Sequence, residues 1–107
     1  MSHADPRPFA DDHGVWREPI PGHPSGIEWG EIYSVSSHKL DGITEIYTCV
    51  VLDFEYGGFI ELYESSPGFH QVVEAITKRL VGISPDWFSR VERLSVNDSP
   101  LEVWRRA

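Results

Sequence analysis

The chain has 107 residues, which suffice for one hydrophobic core but not for two domains with separate cores. Its 9 Lys and Arg against 17 Asp and Glu give a formal net charge of −8, a sign that disfavours binding to nucleic acid phosphates. Hydrophobic residues make up 40% of the chain, enough for a folded core, yet no run of about 18 apolar residues is present to span a membrane.

The negative charge is concentrated in the middle of the chain. Residues 27–66 hold eight acidic residues and one basic residue, Lys39, which gives a net charge of −7. Such a segment can steer a basic protein toward one face, although acidic surfaces serve solubility more often than docking. The N-terminus lacks the basic segment and apolar stretch of a signal peptide, and the single Cys49 allows no internal disulfide. We therefore expect a cytoplasmic protein.

The N-terminal segment is rich in proline. Five of the eight prolines lie in residues 1–26, and each removes an amide donor and restricts the preceding residue. We predict irregular or extended structure for residues 1–26 and a single α+β domain for residues 27–107. Four apolar residues are available to dock the segment onto that domain: Phe9, Val15, Trp16 and Ile20.

Two β-strands are predicted on either side of Asp41-Gly42, a dipeptide typical of two-residue hairpin turns. A two-residue turn places Leu40 opposite Ile43, and in the same register His38 lies opposite Glu45. Most of the apolar residues then share one face of the sheet, which should face the core. That face collects Trp29, Tyr33, Val35, Ile46, Val50, Leu52 and Phe54.

The turn signal Gly57-Gly58 opens a second hairpin and a third strand. A three-residue loop pairs Phe54 with Ile60 and continues the apolar face. A two-residue loop instead pairs Phe54 with Glu61. Burial favours the three-residue loop, because a slip of one residue sends the apolar set to solvent.

Two helices and a closing strand follow. Ser66-Pro67 and Ser84-Pro85 each indicate a helix start, with serine as N-cap and proline at the first helical position. The first helix carries an apolar stripe at helical spacing: Phe69, Val72, Val73, Ile76 and Leu80. The order β-β-β-α-α-β predicts an α+β fold, in which an antiparallel sheet has its helices packed on one face.

The first candidate site is a cluster of carboxylates. In the favoured register Asp53 lies opposite Glu61, with Glu55 on the same face, and like charges so placed repel. A basic side chain removes that penalty, and Arg105 or Arg106 of the last strand is placed to supply one. A basic partner is the alternative that would make Asp53, Glu55 and Glu61 a docking surface.

The second candidate is the pair His38 and Glu45, in which a carboxylate can orient an imidazole as a general base. We favour an ordinary cross-strand ion pair, since no nucleophile or oxyanion donor accompanies the two residues. The sequence also lacks the spacing of a phosphate-binding loop, a zinc site or a calcium loop. We therefore expect no cofactor, no metal and a non-enzymatic role.

Four segments carry a resemblance to small uncharacterised bacterial α+β domains: WGEIY at 29–33, LDFEYGGFIE at 52–61, SPGF at 66–69 and PDWF at 85–88. Some domains of this style are immunity proteins of polymorphic toxin systems. The likeness covers residues 27–106 and consists of packing motifs, so it assigns no functional residue. It implies a module that binds a basic toxin.

Two functions remain open at this point. The first is a non-enzymatic binding module whose acidic sheet face engages a basic protein. The alternative is a small-molecule-binding or enzymatic domain with a pocket between the sheet and the helices. A homodimer formed through sheet edges or exposed tryptophans is compatible with either.

Overall fold

The computed structural model describes residues 8–20 and 23–106. A short 3-10 turn, Trp29–Glu31, separates the third strand from the fourth. The strands and helices in chain order are β1 (Phe9–Ala10), β2 (Gly14–Ile20), β3 (His23–Glu28), β4 (Ile32–Asp41), β5 (Ile46–Phe54), β6 (Phe59–Tyr63), α1 (Phe69–Arg79), α2 (Trp87–Glu92) and β7 (Leu101–Arg105).

The strands form two antiparallel sheets. The first sheet has the order β1-β2-β3, and the second has the order β6-β5-β4-β7. Both helices follow β6 and precede β7, as the predicted order requires. The α+β class is confirmed, with an antiparallel sheet that has its helices on one face.

The core lies between the helices and one face of the four-stranded sheet. Side chains from both sheets and both helices belong to one buried cluster, among them Val15, Ile27, Val35, Val50, Leu52, Leu62, Phe69, Val72, Ile76, Trp87 and Val91. Helix α1 contributes its predicted stripe. Trp87 of α2 is fully buried, and its Nε1 donates to Oγ1 of Thr77 at 2.9 Å, so its one polar atom is satisfied inside the core.

Of the two alternatives for residues 1–26, irregular or extended, the described part has extended structure, and it is regular enough to form a sheet. Strands β1 and β2 and the start of β3 lie there, while residues 1–7 and 21–22 are outside the described residues. The regular ladder joins Gly14–Arg17 to Ser25–Glu28 and contains no proline. The pairing is irregular between Arg17 and Ile20, the stretch that includes Pro19. Proline therefore interrupts the ladder without preventing it.

The first hairpin has a longer loop than predicted. Strand β4 pairs with β5 so that Asp41 lies opposite Ile46, and the loop is closed by a hydrogen bond from the amide of Gly42 to the carbonyl of Glu45 at 2.8 Å. This register places Val35 opposite Leu52, and both side chains are fully buried. The shift changes every predicted pair, but it moves the strands by an even number of residues, so Val35, Val50 and Leu52 stay on the predicted core face.

A β-bulge near the start of β4 changes which residue there faces the core, so one residue of the predicted core face is wrong. The pairing with β5 is irregular between Ile32 and Ser34, and Ile32 lies opposite Phe54. Ile32 is therefore buried in the core, whereas Tyr33, the predicted core residue, stays partly exposed. A bulge reverses the alternation of faces at a single position.

The second hairpin is also longer than either predicted alternative. Leu52 lies opposite Ile60, and the amide of Phe54 donates to the carbonyl of Gly58 at 3.1 Å. Gly57 and Gly58 both have positive φ, 96° and 84°, which L residues rarely adopt. The register again differs from the favoured one by an even shift, so the core face of β6 is as predicted.

Both helices begin later than predicted. Helix α1 has Gly68, not Ser66, at its N-cap position, and α2 has Asp86 there rather than Ser84. Gly68 has a φ of 94°, and a Cβ atom at this position would lie 2.4 Å from the carbonyl oxygen of Pro8. Glycine therefore allows the N-terminal chain to pass directly over the start of α1.

Candidate functional site

One face of the four-stranded sheet packs against the helices, and the opposite face, here called the open face, does not. The open face is defined by the strand registers, because paired residues point to the same side of a sheet. Its members are Ser34, Ser36, His38 and Leu40 of β4, Tyr47, Cys49, Val51 and Asp53 of β5, Phe59, Glu61 and Tyr63 of β6, and Glu102 and Arg105 of β7.

The predicted acidic cluster is only partly formed. Asp53 lies opposite Phe59, and Glu61 lies opposite Val51, so the predicted pairing of Asp53 with Glu61 is wrong. The two acids nevertheless share the open face as diagonal neighbours. Repulsion between them is therefore weaker than the direct pairing implied.

Each carboxylate of the predicted cluster has a contact inside the protein. Oγ of Ser34 donates to Oδ2 of Asp53 at 3.0 Å, and Nη2 of Arg106 lies 2.9 Å from Oε2 of Glu55. Arg106, which directly follows β7, therefore supplies a cation to Glu55 but not to Asp53 or Glu61. Asp53 and Glu61 remain as the carboxylates of the open face that no ion pair among the described residues neutralises.

The pair His38 and Glu45 is not brought together. His38 lies opposite Cys49, and Glu45 sits exposed in the loop between β4 and β5. Both interpretations of the pair, the favoured cross-strand ion pair and the general base, depended on the two-residue turn and are wrong with it. The physical reason is the even shift of the hairpin, which moves Glu45 off the ladder.

A cavity of about 210 Å³ lies where β6 meets the first sheet, and we call it the edge cavity. It differs in place from the predicted pocket between sheet and helices. Most of the lining residues are polar or aromatic, and two are apolar. They are Pro8, Arg17, Tyr47, Glu61, Leu62, Tyr63, Ser65 and Ser66. Nη1 of Arg17 donates to the main-chain carbonyl of Glu61 at 2.8 Å, so β2 reaches the outer edge of β6.

Sequence reasoning missed Arg17 because the segment that carries it was expected to be irregular. Tyr47 and Tyr63, the two tyrosines of the lining, lie on neighbouring strands. Their rings lie edge to face with 6.2 Å between centroids. The sequence gives little signal for this site, because prolines at positions 19, 21 and 24 follow Arg17 closely and disfavour a strand there.

Cys49 borders the cavity residues and is fully buried. Its thiol donates to Oε2 of Glu61 at 3.8 Å. Burial, and then the negative charge of Glu61, raises the pKa of Cys49 to about 12. The group therefore stays a protonated thiol at neutral pH and is not a nucleophile.

Burial also raises the pKa of Tyr63, with the Glu61 carboxylate as the second cause, while Arg17 acts in the opposite direction. The hydroxyl of Tyr63 is thus held in its neutral, hydrogen-bonding form. The positive charge of Arg17 opposes the increase of the pKa at both Cys49 and Tyr63, as the smallest of the causes.

The far edge of the open face carries a second group of charges. Arg105 forms a bidentate contact with Glu102 at 2.7 and 2.9 Å, and its Cζ lies 5.0 Å from the ring centroid of Tyr33. The hydrogen bond from Arg105 lowers the pKa of Glu102. These opposite charges neutralise one another, so the net negative charge of the open face belongs to Asp53 and Glu61.

Among residues 8–20 and 23–106, no group of three or more histidine, cysteine or acidic side chains is placed to hold a metal ion. None of the helices described above is long and apolar enough to cross a membrane. Comparison with protein-family models, curated proteins and solved structures found no match.

Proposed function

We propose that this protein is a non-enzymatic binding module that engages a basic protein through the open face. The observation that carries the proposal is the position of Phe59, which is 59% exposed and lies directly opposite Asp53 on that face. An exposed aromatic ring beside charged groups is typical of protein interfaces, where aromatic residues supply the central contacts.

Charge gives the proposed surface its preference for a basic partner. Asp53 pairs with Phe59 and Glu61 pairs with Val51, so the two acids are diagonal neighbours across β5 and β6. Among the described residues, no ion pair joins either carboxylate. The whole chain carries a net charge of −8. Such charges speed the encounter with a positively charged surface, and their effect is screened over about 8 Å at physiological ionic strength.

The chemistry of the open face favours binding over catalysis. The thiol of Cys49 is protonated and buried. His38 lies opposite Cys49 and not opposite a carboxylate. A catalytic site requires a nucleophile or base with an orienting group in contact. The resemblance to bacterial immunity proteins extends the proposal to a cytoplasmic module that neutralises a basic toxin domain.

A defined peptide probe tests the docking surface. We expect a ten-residue Lys/Ala peptide to shift the backbone amide NMR signals of Val51, Asp53, Phe59 and Glu61 more than those of α1 and α2. A Glu/Ala peptide of equal length should leave them unchanged. Equal shifts over the whole surface with the Lys/Ala peptide would contradict the proposal.

Two double variants distinguish the effect of the open-face charges on peptide binding from the effect of the net charge of the protein. Asp53→Asn with Glu61→Gln should weaken binding of the Lys/Ala peptide about threefold to tenfold, as expected for the loss of two half-buried charges that contact the peptide. Glu74→Gln with Glu92→Gln removes the same charge from exposed positions on the helices and should change binding less than twofold by the same principle. Equal losses in the two variants would show that only net charge matters.

A further inference from the structure

We propose that the edge cavity binds a small zwitterion, a molecule with one carboxylate and one ammonium group, as in a free α-amino acid. The cavity is lined by a guanidinium, a carboxylate, two phenol rings and two serine hydroxyls within one space of about 210 Å³. This site adjoins the surface proposed to dock a basic protein and shares Tyr47, Glu61 and Tyr63 with the open face, but Asp53 and Phe59 lie outside it.

Arg17 and Glu61 provide opposite charges that do not cancel each other by contact. The guanidinium bonds the main-chain carbonyl of Glu61, and no ion pair between described residues joins it to the Glu61 carboxylate. The bond to the carbonyl uses Nη1, one of the nitrogens of a group that carries five N–H donors. A guanidinium binds a carboxylate with two parallel hydrogen bonds, which fits the acidic end of a zwitterion.

The ammonium end of the ligand is matched by Glu61 and the tyrosine rings. Oε2 of Glu61 accepts the weak thiol donor of Cys49 at 3.8 Å, and the hydroxyl of Tyr63 is a second partner of this carboxylate. A carboxylate has about four lone-pair positions, which leaves room for an ammonium donor. The rings of Tyr47 and Tyr63 line the same space, and an ammonium group is attracted to the face of an aromatic ring. A ligand with only an anion would leave this acidic, aromatic half without a partner.

The size of the edge cavity limits the ligand. Pockets for drug-sized molecules occupy about 300 to 1,000 Å³. The edge cavity, at about 210 Å³, is smaller, which favours a molecule of amino-acid size over a nucleotide or an oligosaccharide. The hydroxyls of Ser65 and Ser66, which precede α1, add neutral donors and acceptors at its rim.

Titration with free amino acids and their blocked derivatives tests the proposal on the unmodified protein. We expect at least one of glycine, leucine, phenylalanine, glutamate and lysine to bind, as followed by NMR shifts of Tyr63 and Ser65. Acetylating the amine of the best ligand, or converting its carboxylate to the amide, should each weaken binding at least tenfold. Absence of binding by all five, or equal binding of blocked and unblocked forms, would overturn the proposal.

Variants assign the two ends of the ligand. Arg17→Gln should make the carboxylate and amide forms of the ligand bind with equal affinity. Glu61→Gln should do the same for the amine and acetylated forms. Arg90→Gln and Glu92→Gln, exposed on α2, are the matched controls and should leave both differences intact. Asp53 lies outside the cavity lining, so Asp53→Asn should weaken binding of the basic peptide but not binding of the amino acid. If Arg17→Gln fails to fold, the blocked derivatives still decide the question.

Discussion

Cys49 shows how the surroundings of one side chain decide its chemistry. It lies on the open face, where a strand residue ordinarily meets solvent, yet its side chain is fully buried and its thiol donates to Glu61. The sequence indicates an inert cysteine from its position between Tyr47 and Val51. The contact with Glu61 was not predictable, because it depends on which residue of β6 lies beside it.

The first prediction concerns the reactivity of Cys49. With its pKa raised to about 12, the folded protein should react with a thiol reagent at pH 8 on the order of a thousandfold more slowly than the chain in urea, where the thiol has its ordinary pKa. The measurement is the rate of colour release from a disulfide reagent. Equal rates in the folded and unfolded protein would show that the thiol is accessible.

The second prediction is the pH dependence of stability from the same group. A folded-state pKa above the ordinary value of 9.0 means that the neutral thiol is favoured by folding. The stabilisation is complete below pH 9.0 and is lost as the pH rises toward about 12. The free energy of unfolding, measured in urea, should therefore fall more steeply over this range for the unmodified chain than for Cys49→Ala. Parallel curves would contradict the assignment.

The strands illustrate which part of a sheet is predictable from sequence. Alternation of apolar and polar residues correctly separates the faces of β5 and β6, because the side-chain period is two. The loop lengths are not predictable in the same way. Asp41-Gly42 is followed by two more loop residues before Glu45, since the longer loop lets Val35 meet Leu52 in the core. Tertiary packing therefore outweighs the preference of the turn dipeptide.

The third prediction concerns the β5–β6 turn. Gly57 has a φ of 96° and open space where a Cβ would lie, so Gly57→Ala tests the backbone conformation alone. We expect a loss of about 1 to 2 kcal/mol of unfolding free energy. Gly30→Ala is the matched control, because it also has open space but no positive φ, and should change stability by less than about 0.5 kcal/mol. Thermal or urea unfolding of both variants provides the comparison.

The whole molecule is held together by a core that includes its N-terminal sheet. Val15 of β2 is buried in the same cluster as Val50 and Val72. The side-chain amide of Gln71 also bonds both the amide and the carbonyl of Ala10, which attaches β1 to helix α1. This sheet was not predictable from the sequence because its segment is rich in proline. Proline disfavours strands, but it still permits an irregular ladder such as the one between β2 and β3.

The fourth prediction tests the attachment of the N-terminal sheet. Val15→Ala should lower the free energy of unfolding by about 2 kcal/mol, from the loss of two buried carbon groups and the cavity they leave. Val81→Ala makes the same chemical change at a side chain that is 92% exposed, and it should have an effect below about 0.5 kcal/mol. Similar values for the two variants would mean that the N-terminal sheet does not share the core.

Both proposed sites depend on the β5–β6 register, which places Glu61 beside Val51 and Phe59 beside Asp53. The amides of Phe54 and Glu64 donate across the ladder, so the pairs Val51–Glu61 and Asp53–Phe59 are of the non-hydrogen-bonded type. Such pairs bring their Cα atoms to about 4.5 Å and give strong contacts between Hα protons. Nuclear Overhauser spectra should therefore connect the Hα protons of these two pairs. An Hα contact between Asp53 and Glu61 would restore the direct acidic pair and contradict the open face and the edge cavity as described.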